Sequence, residues 1–132
     1  MNLVSIRIIT DDVDRLVDFY EQVTGAPATR FTEDFAELGI GSTTLAIGST
    51  RTVPLFAPGS ARAGDNRSVV IEFLVDDVDA VHRDLTGVVT DFVNEPTTMP
   101  WGNRALLFRD PDGNLVNFFT PVTPAAIAKF AR

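Results

Sequence analysis

The stretch Ser5–Asp14, SIRIITDDVD, decides the fold because the chain repeats it at Val70–Asp79 as VIEFLVDDVD. Both copies alternate in side-chain character before they reach the same Asp-Asp-Val-Asp segment. Alternation with a period of two is typical of a strand with one buried face, and an Asp before the first helical turn is a typical N-cap. Each copy therefore predicts a strand that runs into a helix, and the chain is expected to consist of two related halves.

An amphipathic helix and three further strands are predicted after each copy of the repeat. The helices are expected over Val13–Val23, ending near Gly25, and over Val78–Leu85, ending at Gly87. Asp110–Gly113, DPDG, is a strong turn signal. The predicted strands are Ala28–Thr32, Phe35–Ile40 and Thr43–Ile47 in the first half, and Val89–Val93, Arg104–Arg109 and Asn114–Thr120 in the second. Each half reads β-α-β-β-β, which predicts an α+β fold.

The length of 132 residues fits one domain built from two modules. Module 1 is expected over residues 1–49 and module 2 over residues 69–121. Residues 50–68 join them, either as a long connection or as a strand with flanking loops. This segment contains Pro54, Pro58, Gly59 and Gly64. Residues 122–132 are predicted to form a short helix that starts at a Thr123 cap, with Pro in its first turn.

Composition excludes several classes of function. Asp and Glu number 18 against 11 Lys and Arg, for a net charge of −7, which disfavours binding to nucleic acid and favours a cationic ligand. No apolar run is long enough to span a membrane, and no basic segment followed by an apolar one marks a signal peptide. The absence of cysteine excludes disulfides and thiolate sites and is consistent with a cytoplasmic protein.

Five short motifs carry a family resemblance. Asp12–Arg15 (DVDR), Asp18–Tyr20 (DFY) and Gly25 in the first half, with Pro100–Gly102 (PWG) and Asp110–Asn114 (DPDGN) in the second, resemble the vicinal oxygen chelate superfamily. That superfamily includes glyoxalase I, extradiol dioxygenases, and fosfomycin- and bleomycin-resistance proteins. The resemblance implies two βαβββ modules whose curved mixed sheets enclose a cleft, commonly in a homodimer. Exchange of strands or modules between subunits is compatible with the long connection.

The residues at the family's metal-binding positions point away from a metal. The resemblance implies ligands on the first and last strand of each module, at Ser5, Ala46, Val70 and Asn117. Metal-dependent members have His or Glu there, because divalent metals require imidazole or carboxylate ligands. None of these four side chains supplies one, so we expect neither a metal nor another cofactor. The one histidine, His82, is expected on the solvent-facing side of the second helix.

A cleft without a metal is expected to bind a small molecule by shape, stacking and a few polar groups. Trp101, the one tryptophan, lies between Pro and Gly, where its indole could stack on a planar ligand or a cation, or close the end of the barrel by packing. Further apolar walls are predicted from Phe35, Phe56, Met99, Phe108 and Phe119.

Four polar side chains are candidate ligand contacts. Strand alternation turns Ser5, Arg7 and Glu72 toward the cleft. Arg7 and Glu72 occupy equivalent repeat positions and either anchor a ligand or form a structural ion pair. Asn117, at a metal-ligand position of the family, either donates to a ligand or fills space.

Three functions are compatible with these features. The first is a metal-free protein that sequesters a toxic natural product of the bleomycin, mitomycin or enediyne type, conferring resistance. Such a protein has an aromatic or cationic ligand as its partner and is expected to be a cytoplasmic homodimer. The second is a glyoxalase-like lyase or isomerase, or another enzyme of the superfamily, with displaced metal ligands or none. The third is a non-catalytic regulatory or scaffold module. Metal analysis, turnover assays and the presence of a pocket separate them.

Overall fold

A computed structural model describes residues 1–131 and divides them into two units, Met1–Asn66 and the chain from Arg67 onward. Each unit contains one four-stranded sheet with a helix packed on it. The predicted α+β fold is confirmed, and the helices and strands of each half follow one another in the predicted β-α-β-β-β order. One strand of the second half lies at a different place in the chain.

The first unit follows its prediction closely. Its elements are β1 (Ser5–Thr10), α1 (Val13–Thr24), β2 (Ala28–Thr32), β3 (Phe35–Ile40), β4 (Thr43–Ser49) and a 3₁₀ helix (Thr50–Leu55). The strand order is β1-β4-β3-β2, with β1 and β4 parallel and the other pairs antiparallel. The connection between the halves thus begins as a 3₁₀ helix, and no strand occurs between β4 and the first strand of the second unit.

Helix α1 lies against β3 and β4 and buries the first core. Leu16 and Tyr20 of α1, Leu38 of β3 and Ile47 of β4 are fully buried. Removing such side chains from water is the main stabilising contribution to a unit of this size. The opposite side of this sheet, the distal face of the first unit, carries the alternate residues of the same strands.

Both ends of α1 are capped as the repeat predicts. The Asp12 carboxylate accepts a hydrogen bond from the Arg15 backbone N–H at 3.1 Å. At the other end Gly25 adopts the left-handed conformation, with φ at 72°, and its N–H bonds to the carbonyl of Glu21. The repeated segment therefore leads into a helix as predicted, because the Asp12 carboxylate accepts a hydrogen bond from a free N–H of the first turn.

The second unit repeats this plan. Its elements are β5 (Val70–Leu74), α2 (Val78–Leu85), β6 (Thr97–Thr98), β7 (Asn103–Arg109), β8 (Leu115–Pro121) and α3 (Pro124–Lys129), in the sheet order β5-β8-β7-β6. Helix α2 is capped by Asp77 and packs on β7 and β8. Leu106, Phe108, Val116 and Phe118 form the core between them and are at most 2% exposed.

The strand predicted at Val89–Val93 is wrong. Only an isolated bridge from Phe92 to Phe108 forms there, and β6 is a two-residue strand further along the chain. After the bridge, a side chain takes the position that a backbone carbonyl would have in a paired strand. Asn94 Oδ1 accepts the backbone N–H of Leu107 at 2.7 Å. Since that N–H is already satisfied, the β7 edge needs no continuous partner strand at this point.

Two further expectations concern the second unit. Thr123 caps α3 by accepting the Ala126 N–H, as predicted, and the last residue of the predicted helix, Arg132, lies outside the described residues. The placement of His82 on the solvent side is wrong in part, because its ring packs edge-on against Phe92 with centroids 5.0 Å apart.

No helix described in residues 1–131 is long and apolar enough to cross a membrane.

Candidate ligand-binding site

The second unit has a pocket on the side of its sheet that faces away from α2. As in the first unit, we call this side of the sheet the distal face. Cross-strand register places Glu72 on β5, Asn117 on β8 and Leu107 on β7 in one row. The pocket has a volume of about 450 Å³, the size of a small-molecule site. It is lined by Val70, Glu72, Val93, Asn94, Met99, Trp101, Ala105, Leu107 and Asn117.

A tight turn brings the aromatic wall of the pocket into place. The Gly102 N–H bonds to the Met99 carbonyl at 2.9 Å, and the Met99 N–H bonds to the Asn103 carbonyl at 2.7 Å. Gly102 has φ at 94°, which side chains of L-residues disfavour. Trp101, at the top of this turn, lines the pocket and keeps 68% of its surface exposed. An exposed indole beside an apolar pocket can stack on a planar group.

One polar pair lies on the floor of the pocket. Asn117 Nδ2 donates to Glu72 Oε2 at 2.8 Å, while Asn117 Oδ1 is buried and accepts from no group in residues 1–131. A buried acceptor without a donor costs about 1–3 kcal/mol. Rotating the amide would not remove this cost, because it would turn Oδ1 toward the Glu72 carboxylate. The arrangement presents the exposed Glu72 carboxylate to a hydrogen-bond donor, while Asn117 Oδ1 is enclosed by the protein.

The donor set does not fit a divalent metal. Val70 and Asn117 in the second unit, like Ser5 and Ala46 in the first, offer no imidazole or carboxylate at the positions where the family resemblance implies ligands. Within residues 1–131 no three His, Cys, Asp or Glu side chains are grouped to hold a metal ion. The side chains that line this pocket offer hydrogen bonds, a carboxylate and an aromatic ring to a ligand.

Four of the predicted contact residues meet at this pocket: Glu72, Met99, Trp101 and Asn117. Phe108 does not line it, because its side chain is fully buried on the α2 side of the sheet against Phe118. Its assignment as a pocket wall is corrected to a core residue. Phe119 is also absent from the lining, and its ring packs against Phe130 with centroids 5.2 Å apart.

Sequence reasoning missed four lining residues: Ala105 and Leu107 of β7, and Val93 and Asn94 in the segment paired with it. Val93 was expected within a regular strand, and its N–H instead bonds to the Leu107 carbonyl at 2.8 Å. No sequence pattern indicates Asn94 as a lining residue, because its position depends on the hydrogen bond that the Leu107 N–H donates to its side chain. Only the pairing of this segment with β7 places Val93 and Asn94 at the pocket.

The other four predicted contact residues lie in the first unit. Ser5 and Arg7 extend from β1 on its distal face and are exposed. The Arg7 guanidinium carbon lies over the ring of Phe35, 5.5 Å from its centroid, and over the ring of Phe56 at 4.9 Å. The structure therefore brings Arg7, Phe35 and Phe56 together. Ser5 lies opposite Thr44 in the register of β1 and β4.

Shifted pKa values occur away from the pocket. Hydrogen bonds from Arg104 lower the pKa of Asp79, and they join β7 to α2 on the side opposite to the pocket. In the first unit, hydrogen bonds from Ser49 and Arg51 lower the pKa of Asp34. Both carboxylates are held in structural pairs, which explains their shifts without a catalytic role.

A sequence model of the Glyoxalase/Bleomycin resistance protein/Dioxygenase superfamily matches residues 2–118. The chain is 28% identical over 125 residues to the uncharacterized protein YraH of Bacillus subtilis, an alignment that covers 90% of this chain and 98% of YraH.

Solved structures of other proteins share the fold. A glyoxalase/bleomycin resistance protein/dioxygenase family enzyme from Burkholderia phytofirmans has a TM-score of 0.80 at 19% identity, covering 92% of this chain and all of its own. A glyoxalase/bleomycin resistance protein/dioxygenase from Nocardioides has a TM-score of 0.78 at 19% identity, covering 94% of this chain and 85% of its own. At this identity the likeness establishes the arrangement of strands and helices alone.

Proposed function

The chain belongs to the glyoxalase/bleomycin resistance protein/dioxygenase superfamily, and from this premise we propose that it is a metal-independent binding protein that sequesters a toxic natural product without altering it. The observation that carries the proposal is the pocket of the second unit, where Asn117 stands at a position expected to hold a metal ligand. Its partner there is a side chain of the protein, Glu72, to which it donates at 2.8 Å.

The walls of the pocket support an aromatic ligand. Its lining is mostly apolar, and Trp101 and Met99 lie at its edge on one turn. Stacking of an aromatic ring on the indole contributes about 0.5–1.5 kcal/mol beyond area burial. A planar ring system of the bleomycin, mitomycin or enediyne type satisfies this requirement.

The floor of the pocket favours a ligand that donates hydrogen bonds. Asn117 Oδ1 lacks a donor within residues 1–131, and the Glu72 carboxylate beside it is exposed. A protonated amine or amidine can donate to this carboxylate, and charge-assisted hydrogen bonds of this kind are about twice as strong as neutral ones. The net charge of −7 favours the approach of such a cation.

Fluorescence titration of the metal-stripped protein tests this function, because Trp101 is the one tryptophan and lines the pocket. Bleomycin and mitomycin C are the first probes, with the ligand recovered and analysed afterwards. Saturation near one ligand per chain with intact ligand supports sequestration. Chemically altered ligand indicates an enzyme, and a response that requires added Mn²⁺, Ni²⁺ or Zn²⁺ overturns the metal-independent mechanism. No response to either probe removes the support for resistance by binding and favours a scaffold role.

Two further properties belong to this proposal. We expect a homodimer, as is common in the family, and a cytoplasmic location, for which the absence of cysteine is the supporting feature. Light scattering on the purified protein measures the first property. A mass near the 14.4 kDa of one chain contradicts the dimer.

A further inference from the structure

An arginine on the first sheet lies over two aromatic rings. The Arg7 guanidinium carbon lies 5.5 Å from the ring centroid of Phe35 on β3 and 4.9 Å from that of Phe56, which follows the 3₁₀ helix. We call these three residues the Arg7 clamp. Attraction between a guanidinium and a ring face contributes about 0.5–1 kcal/mol at an exposed site, so two rings restrict the Arg7 side chain to one region.

Gly48 of β4 lies beside the Arg7 side chain. A Cβ at Gly48 would lie 3.6 Å from Arg7 Cδ and 3.2 Å from Thr52 Oγ1. The Arg7 stem therefore lies in van der Waals range of this position, and the tighter contact of a Cβ at Gly48 would be with Thr52 Oγ1. Phe35 lies directly opposite Gly48 in the β3–β4 register, which brings its ring beside the arginine.

The hydrogen-bond donors of Arg7 have no acidic partner in the described part of the chain, residues 1–131. Asp34 is already held by Arg51 at 2.6 Å and by the Ser49 hydroxyl at 2.7 Å. Glu37 lies in the same cross-strand row as Arg7, but Ala46 stands between them and no ion pair forms. Rings that cover the faces of a guanidinium leave its in-plane N–H donors open.

We propose that the Arg7 clamp binds a carboxylate carried on an aromatic or other apolar body. The planar fork of the guanidinium matches the two oxygens of a carboxylate, while the apolar body contacts Phe56, whose side chain is 71% exposed. A single free cation suits a singly charged group better than a phosphate, because Arg51, the other cation near this end of β4, is neutralised by Asp34. All residues of the clamp belong to the first unit, so this site stands independently of the function proposed for the pocket.

The probe for this site is sodium benzoate, titrated into the full-length ¹⁵N-labelled protein. The Nε–Hε resonances of the arginines report on binding, and the resonance missing from the spectrum of Arg7→Lys assigns Arg7. We expect a saturable shift at Arg7 and none at Arg62, which is exposed and paired with Asp65. Benzamide, which has the same ring without the charge, is expected to give no shift. An equal shift with sodium chloride at the same ionic strength identifies an adventitious ion only and overturns the proposal.

Two variants make the test specific. Arg7→Lys retains the charge but loses the planar fork, so benzoate should bind at least about tenfold more weakly, with Arg62→Lys as the matched control. The signal is then read from backbone amides of β1 and β4. Phe56→Leu changes an exposed ring and should weaken binding several-fold while the spectrum stays that of a folded protein. Unchanged benzoate affinity in both variants overturns the proposal.

Discussion

Asn117 and Glu72 form a hydrogen-bonded pair across β8 and β5, with Asn117 Nδ2 donating to Glu72 Oε2 at 2.8 Å. This bond determines the orientation of the amide, so the Asn117 Oδ1 acceptor is the end left without a donor in residues 1–131. The pair sets the polarity that the pocket presents to a ligand. Under the proposed function, a cationic donor would bind at the exposed Glu72 carboxylate of this pair.

The first prediction concerns the charge of this pair. Glu72→Gln keeps the size of the side chain and removes its charge, so a ligand bearing a protonated amine or amidine should bind about tenfold more weakly, or about 1.4 kcal/mol. Benzamidine, with benzamide as its neutral counterpart, is a suitable probe followed by Trp101 fluorescence. Glu33→Gln, an equal loss of charge at an exposed turn of the first unit, is the control and should not change affinity. Equal loss in both variants would indicate an effect of net charge alone.

The second prediction separates the pocket from the core. Trp101 is 68% exposed, so Trp101→Ala should change the free energy of unfolding by less than about 1 kcal/mol. The same variant should lose most of its affinity for planar ligands, measured by calorimetry because no tryptophan remains. Phe108→Ala is the opposite case, since a fully buried ring is removed and about 3–5 kcal/mol of stability should be lost. A large loss of stability in Trp101→Ala would make the indole a packing residue.

The third prediction concerns the turn that carries Trp101. Gly102 has φ at 94°, and a Cβ there would overlap Thr123 Oγ1, the cap of α3. Gly102→Ala should therefore destabilise the protein by about 2 kcal/mol or more in urea unfolding. Gly39→Ala is the matched control, because its Cβ would meet no atom within 4 Å and its φ is not positive. A neutral Gly102→Ala would show that α3 can move away without cost.

The fourth prediction is a dependence of stability on pH. Hydrogen bonds from Arg104 to Asp79, at 2.8 and 3.0 Å, lower the Asp79 pKa below its usual value of 3.8. A carboxyl group with a depressed folded-state pKa stabilises the fold above its unfolded pKa, and this contribution is lost as the pH falls through the folded pKa. Asp79→Asn should therefore melt at a lower temperature than the parent near neutral pH. The difference should shrink as the pH falls below 3.8.

A control for this pH effect is available on the exposed connection. Asp65, paired with Arg62 at 3.4 Å, has a side chain that is 64% exposed. Exposed pairs contribute little, so Asp65→Asn should leave the melting temperature nearly unchanged at every pH. A constant difference between Asp79→Asn and the parent at all pH values would contradict a role for the ionised carboxylate.

Much of the site was predictable from strand alternation. Alternation predicts that Glu72 and Asn117 face the cleft from their strands, and the sequence also indicates Met99 and Trp101 as candidate walls. The face occupied by Phe108 could not be predicted, since a Phe is compatible with either face of a strand. Only the β7–β8 register, which pairs Phe108 with the buried Val116, assigns it to the core.

The sequence by itself determined the two β-α-β-β-β halves, because strand alternation and helix caps are local properties of the repeated Ser5–Asp14 and Val70–Asp79 segments. The tertiary structure alone decided how the edge of the second sheet is completed. There Asn94 replaces a strand by accepting the Leu107 N–H. It also decided that, within residues 1–131, the buried Asn117 Oδ1 has no donor and the exposed Arg7 has no acidic partner. Whether a polar group finds a partner depends on residues far away in the chain, so no local pattern can reveal it.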